Sequence, residues 1–243
     1  MSDYRNNPIR TGAAAQGAEM IDEGLRAHML RVYNLMAIGL AITGIAALGT
    51  ATLAMSNPAF AQLIYVSPLK WVVILAPLAL VFFLSFRIHS MSVSTAQTTF
   101  WGYAALLGVS LSSIFLVYTG ASITQTFFIT ATTFGAMSLY GYTTKKDISS
   151  WGSFLFMGLI GLIIASIVNI FMQSGALSFA ISAIGVLVFT GLTAYDTQKI
   201  KESYYEGDDS DTAGRKAIIG ALELYLDFVN LFLMLLRLLG NRE

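Results

Sequence analysis

The segment ALELYLDFVNLFLMLLRLLG, residues 221–240, is almost wholly apolar, yet it carries Glu223, Asp227 and Asn230. With Met234 these residues recur at spacings of four, three and four, which is one stripe along a helix. Another carboxylate, Asp196, stands late in GLTAYDTQKIK, with Thr190, Thr193 and Thr197 on adjacent turns, and Asn169 is a further polar residue in the apolar segment before it. The other acids fall in the tail, the connections or the last residue. A carboxylate at membrane depth costs about 2.5–3.5 kcal/mol on insertion scales, so such residues face the bundle interior, find partners and mark pathways. If Asp196 and Asp227 meet, two carboxylates in a low-dielectric site cannot both ionise cheaply, and they titrate as a unit. A shared proton, a cation or an arginine would relieve the repulsion. Oxygen ligands suit a hard cation such as Ca²⁺, which takes about six to eight of them. Two carboxylates and an amide fall short of that number, so waters would complete the shell and occupancy would be transient.

Arg87 closes the run LVFFLSFRIHS, and two readings of it stand side by side. It is an interfacial arginine, or it is a latch whose guanidinium fork pairs with one of the aspartates. Interfacial readings also exist for Asp196, close to Lys199 and Lys201, and for Glu223, within two turns of its segment's start. Asn169 and Asn230 read as helix–helix hydrogen bonders that support the acids.

The composition says what surrounds these groups. Of 243 residues, 56% are hydrophobic and 12% charged, where a soluble domain averages roughly a quarter charged. Mean hydropathy is +0.68, which puts the chain in the membrane class. Formal net charge is zero, so no basic field invites nucleic acid. The absence of cysteine removes disulfides, thiol nucleophiles and thiolate metal sites. His28 and His89, in the tail and a connection, are too few and too misplaced for a zinc site or a serine–histidine dyad. GVSLSS offers serines without a base, and Lys216 only opens the last segment, where a Schiff-base lysine would sit inside it. No glycine-rich phosphate loop follows a strand. The expectation is a chain that is not an enzyme and holds no tightly bound cofactor.

Crossing the hydrocarbon core takes about 20 apolar residues in a helix. Seven segments approach this, at 28–54, 69–87, 98–118, 122–142, 150–172, 176–198 and 217–239. They predict an all-α polytopic membrane protein with seven transmembrane helices in one domain, 28–243, preceded by a polar tail, 1–27. That tail lacks the apolar core of a signal peptide. Pro77 should kink the second segment. Ala37/Ala41, Ala131/Gly135 and Gly161/Ala165 are small pairs four apart that would let helices approach. Eleven of the fourteen basic residues fall on the side of the N-terminus and of the second, fourth and sixth connections, which makes that side cytoplasmic. Arg237 and Arg242 conflict with this if the last helix crosses fully, unless they snorkel to the far interface.

Taken in order, SFRIHS, GYTTKKDISSWGSF, NIF, TAYDTQKIK and LYLDFVNLF resemble the Bax inhibitor-1 (transmembrane Bax inhibitor motif) family, in a bacterial member, from about residue 25 onward. The resemblance implies seven helices with the seventh central, in the inner membrane. It also implies a pH-sensitive Ca²⁺ leak in which Asp196 and Asp227 form a di-aspartyl sensor and Arg87 the latch. Some bacterial relatives resemble instead modulators of a membrane-embedded ATP-dependent protease, which would meet the N-terminal tail. A proton-coupled transporter is a third reading.

Overall fold

A computed structural model describes the backbone of residues 8–242 and the side chains from Glu23 to Arg242. Seven long helices follow one another: α1 (Pro8–Ser56), α2 (Leu69–Arg87), α3 (Val93–Leu111), α4 (Gly120–Thr143), α5 (Ser149–Met172), α6 (Gly175–Ser203) and α7 (Ser210–Leu239). No strand occurs among the described residues. The chain is an all-α, polytopic membrane protein. Six of the seven helices are long and apolar enough to cross a bilayer; α4 is the exception. The expected tail, 1–27, lies outside the described residues up to position 7, and from Pro8 it continues into α1 without a break.

Local chemistry sets the helix ends. Ser92, Thr119, Ser174 and Asp209 each accept a backbone N–H of the first turn, of Thr95, Ser122, Leu177 and Thr212 respectively. Asn169 spans the α5–α6 turn, accepting from the Ser174 N–H at 3.0 Å and donating to Ser178 Oγ at 2.7 Å. Gln173 between them takes a left-handed backbone, with φ 51°. The third predicted segment is divided. α3 stops at Leu111 because the Ser112 hydroxyl bonds back to the Val109 carbonyl at 2.6 Å and to Tyr65 at 2.8 Å, and a short helix, Ile114–Val117, follows. α2 continues through Pro77 to Arg87.

α7 is the axis of the bundle. Its most apolar window is 67% buried, against 11–33% in the other five candidate spans. Ile218, Leu224, Tyr225 and Leu231 are fully enclosed. α1, α3, α4 and α6 pack against it, while α5 packs on α6 and α2 on α3. Outward side chains such as Phe86, Phe154, Phe171 and Leu187 are apolar, as they must be where hydrocarbon is the solvent.

α4 lies along the same depth as its neighbours despite its composition. Its start meets the end of α7, where the Thr119 N–H donates to the Asn241 carbonyl at 3.1 Å and the Asn241 N–H to Ser122 Oγ at 2.9 Å. Its end meets the end of α6, where Lys201 donates to the Tyr142 carbonyl at 2.8 Å. Its polar hydroxyls are largely absorbed: Thr124, Thr130, Thr132 and Thr143 each donate to the carbonyl four residues earlier.

The close helix approaches occur elsewhere than at the predicted small pairs. A Cβ on Gly135 or Gly161 would meet nothing, and Ala37 and Ala41 face outward. The tight contacts are Gly108 against the Thr43 carbonyl and Gly141 against the Ala194 carbonyl, where a Cβ would strike backbone. Four-residue spacing marks a small strip on one helix, but whether another helix lies over it is decided by the whole bundle.

Candidate functional site

Antiparallel packing of α6 and α7 brings the acids of both helices to one cavity of about 530 Å³, closed on the third side by α5. Gln198 anchors that corner: its side chain accepts the Ile148 N–H at 2.9 Å and donates to the Lys146 carbonyl at 2.9 Å. This fixes the start of α5 beside the last turns of α6. Asp196, Asp227, Glu223, Asn230 and Lys199 are the polar side chains of charged and amide type in the lining. Phe156, Leu159, Phe189, Leu192 and Leu226 form much of the rest.

Asp227 is 4% exposed, and its Oδ2 has no donor among the described residues. Asp196 is half-buried and lines the same cavity. The expectation that Asp196 and Asp227 come together is met to this extent: both line one cavity. Glu223 is not alone: its Oε1 lies 2.6 Å from Lys199 Nζ. Asn230 lines the same cavity, but its amide donates to the Leu226 carbonyl of its own helix at 2.8 Å.

Two predicted residues stand apart. Asn169 serves the α5–α6 turn rather than the acids. Arg87, at the end of α2, is exposed, and no carboxylate lies within ion-pairing distance of it among the described residues. Thr193 and Thr197 of α6 also turn away. Thr193 bonds to the Phe189 carbonyl and Thr197 to the Thr193 carbonyl, and Thr197 is 3.0 Å from Ser138 of α4.

Lys199 is a further cavity residue, one that the sequence offered only as a basic group near a helix end. A signal for it existed. It follows Asp196 by three positions, as Glu223 precedes Asp227 by four, so both pairs share a helix face one turn apart. Three carboxylates and one ammonium thus face the cavity, leaving it formally negative. Such a lining attracts cations and protons. Among the described residues no three acidic or histidine side chains converge to hold a metal ion.

The description "Inhibitor of apoptosis-promoting Bax1" matches residues 25–243. The chain belongs to this family, the Bax inhibitor-1 family. The family members it resembles include RP147 of Rickettsia prowazekii, an uncharacterized protein 52% identical over 245 residues, covering 100% of both chains. The inner membrane protein YbhL of Escherichia coli K12 is 50% identical over 223 residues, 90% of this chain and 94% of that one. A membrane protein of Streptococcus pyogenes, SpyM3_0260, is 43% identical over 141 residues, 58% of this chain and 61% of that one. In this Bax inhibitor-1 family member the matched region contains every residue of the acid cavity.

Proposed function

We propose that the chain is a pH-sensitive, passive cation leak, with Ca²⁺ as the ion carried, in the bacterial inner membrane. The observation that carries the reading is the buried Asp227 oxygen without a donor, facing Asp196 across one cavity. An unsatisfied buried polar atom costs about 1–3 kcal/mol, and this one, unlike the orphaned atoms of His28, Trp101 and Thr190, belongs to a residue that lines the acid cavity. Its use is to hold something that comes and goes. Asp196 and Asp227 share a proton or, when both are ionised, attract a passing cation whose remaining ligands are water. Arg87 closes the path by pairing with Asp196. Its exposed position here, with no carboxylate in ion-pairing distance among the described residues, then represents the released form. Protonation frees the arginine and also removes the charge that draws the cation.

In this reading all seven helices cross, α4 included, because α4 runs from the far end of α7 to the loop end of α6. The N-terminus is cytoplasmic, on the side that carries most of the lysine and arginine. Inner-membrane residence follows the name of the Escherichia coli relative. The opposite end then carries Arg237, exposed, and Arg242, whose guanidinium sits over the Tyr118 ring at 5.7 Å.

The test is Ca²⁺ flux into liposomes containing the purified protein, measured across a pH series. Asp227→Asn and Asp196→Asn should each lower flux by roughly tenfold or more, since a charged cleft concentrates its counter-ion by at least that factor. Each should also flatten the pH profile. Unchanged flux with an unchanged profile in both variants defeats the proposal.

A further inference from the structure

The acid cavity has a neighbour. A crevice of about 160 Å³ runs between α6 and α7 toward the charged connection, lined by Lys199, Ile200, Ser203, Lys216, Ile219, Gly220 and Glu223. Only Lys199 and Glu223 line both spaces. The 2.6 Å ion pair between them is the wall that the cavity and the crevice share.

The outer end of the crevice is built in the same way. Lys216 donates to the Ser203 carbonyl at 2.9 Å and pairs with Asp208 of the 204–209 connection. Counted along the helices, Lys199 lies four residues inward of Ser203, and Glu223 seven inward of Lys216. At about 1.5 Å per residue, the inner pair sits one to two turns below the outer one. Two lysine–carboxylate pairs thus bracket a small, largely apolar crevice between the connection and the acid cavity.

We infer that the Lys199–Glu223 pair is a second barrier of the acid cavity, a tethered cation that plugs its connection-side end, separate from Arg87. Glu223 is the positioning residue. It holds the ammonium across the gap and off Asp196, three residues earlier on the same helix. Lys199 is the plug itself. Its charge opposes an entering cation, and its four-carbon stem fills the space where the two cavities would otherwise join. The lysine side chain is half exposed and the glutamate less so, so the pair is open to water on one side and can break without a large desolvation change. Calling the cavity an ion path rests on the proposed leak; the barrier itself does not.

The absence of native cysteine makes the barrier directly measurable. A reporter, Asn230→Cys, is placed on the inner side of the pair, and its labelling by a neutral, polar thiol reagent is timed in membranes oriented with the connection side outward. A neutral reagent keeps the rate free of electrostatic attraction. Lys199→Met or Glu223→Gln should each raise labelling several-fold. Exchanging the charges, Lys199→Glu with Glu223→Lys, should bring the rate back toward that of the reporter alone. A general loosening of the bundle would not be reversed by this exchange, and melting of each variant in detergent shows whether it is folded. If neither single variant changes the rate, or if the exchange stays as fast as the singles, the pair is not a barrier. Because labelling needs no ion flux, a liposome assay that shows no leak leaves this result standing, and the two proposals fail independently.

Discussion

α7 has two faces that obey opposite rules. Toward α1 and α3 it presents Tyr225, fully buried, with its ring edge-on to Phe100 at 5.6 Å and to Tyr103 at 5.8 Å. Its hydroxyl meets Thr43 Oγ1 at 2.6 Å, and Thr43 in turn lies within bonding distance of the Gly39 and Ala104 carbonyls. The Tyr225 and Thr43 hydroxyls there are both partnered. Two residues further along the helix, Asp227 faces α6 across an open cavity with one oxygen unanswered. The first face stabilises the bundle. On the proposed reading, the second spends stability on a group held ready. The difference teaches that burial does not define the site here. What defines it is burial without satisfaction, next to space.

The contrast can be broken from either side. The largest effect is expected at Asp227. Asp227→Asn supplies an amide donor to Asp196 and removes a charge from the wall, so it should raise detergent stability by about 1–3 kcal/mol, the scale of an unsatisfied buried group. A thermal melt at neutral pH reads this, and a loss of stability would mean that Asp227 is a structural residue after all. On the opposite face, Tyr225→Phe keeps the rings and removes only the hydroxyl. It should lower stability by about 0.5–1.5 kcal/mol and leave Ca²⁺ flux at the parent level. A flux change in that variant would erase the division between the faces.

The smallest effect concerns the α7 N-terminus, outside both faces. The Asp209 carboxylate accepts the Thr212 N–H at 3.1 Å. Hydrogen bonds from the Thr212 side chain and then its backbone hold it below the ordinary carboxylate value. A carboxylate lowered in the folded state adds stability above its unfolded pKa and loses it as the pH falls through the folded value. Asp209→Ala should therefore melt slightly earlier at neutral pH, and this deficit should shrink toward about pH 3, near and below the unfolded aspartate range. Asp209→Asn keeps the cap and should melt like the parent at neutral pH.

Much of this was legible in the residues. Apolar runs broken by Asn-Pro, Ser-Gly and charged connections place the long helices, because only helices satisfy their own backbone in lipid. A 4–3–4 stripe of polar groups on an apolar helix identified Asp227, and the TAYD run identified Asp196. The α4 segment was harder. Its threonines depress its hydropathy, yet they spend their hydroxyls on their own helix, which a hydropathy sum does not register. Asn169 does bond from helix to helix, to Ser178 of α6, but away from the acids: four residues before a left-handed Gln173 it serves the α5–α6 turn.

The sequence by itself determined that this is a helical membrane protein with a few carboxylates at membrane depth, since transfer costs act residue by residue and follow from composition and period. Only the tertiary structure decided which groups those carboxylates meet: Asp196 and Asp227 on one cavity, Glu223 held by Lys199, and Arg87 with no carboxylate partner among the described residues. Those outcomes depend on how far helices rotate and slide against each other. That is set by the summed packing of many side chains, such as Gly141 on Ala194, and not by any spacing within one segment.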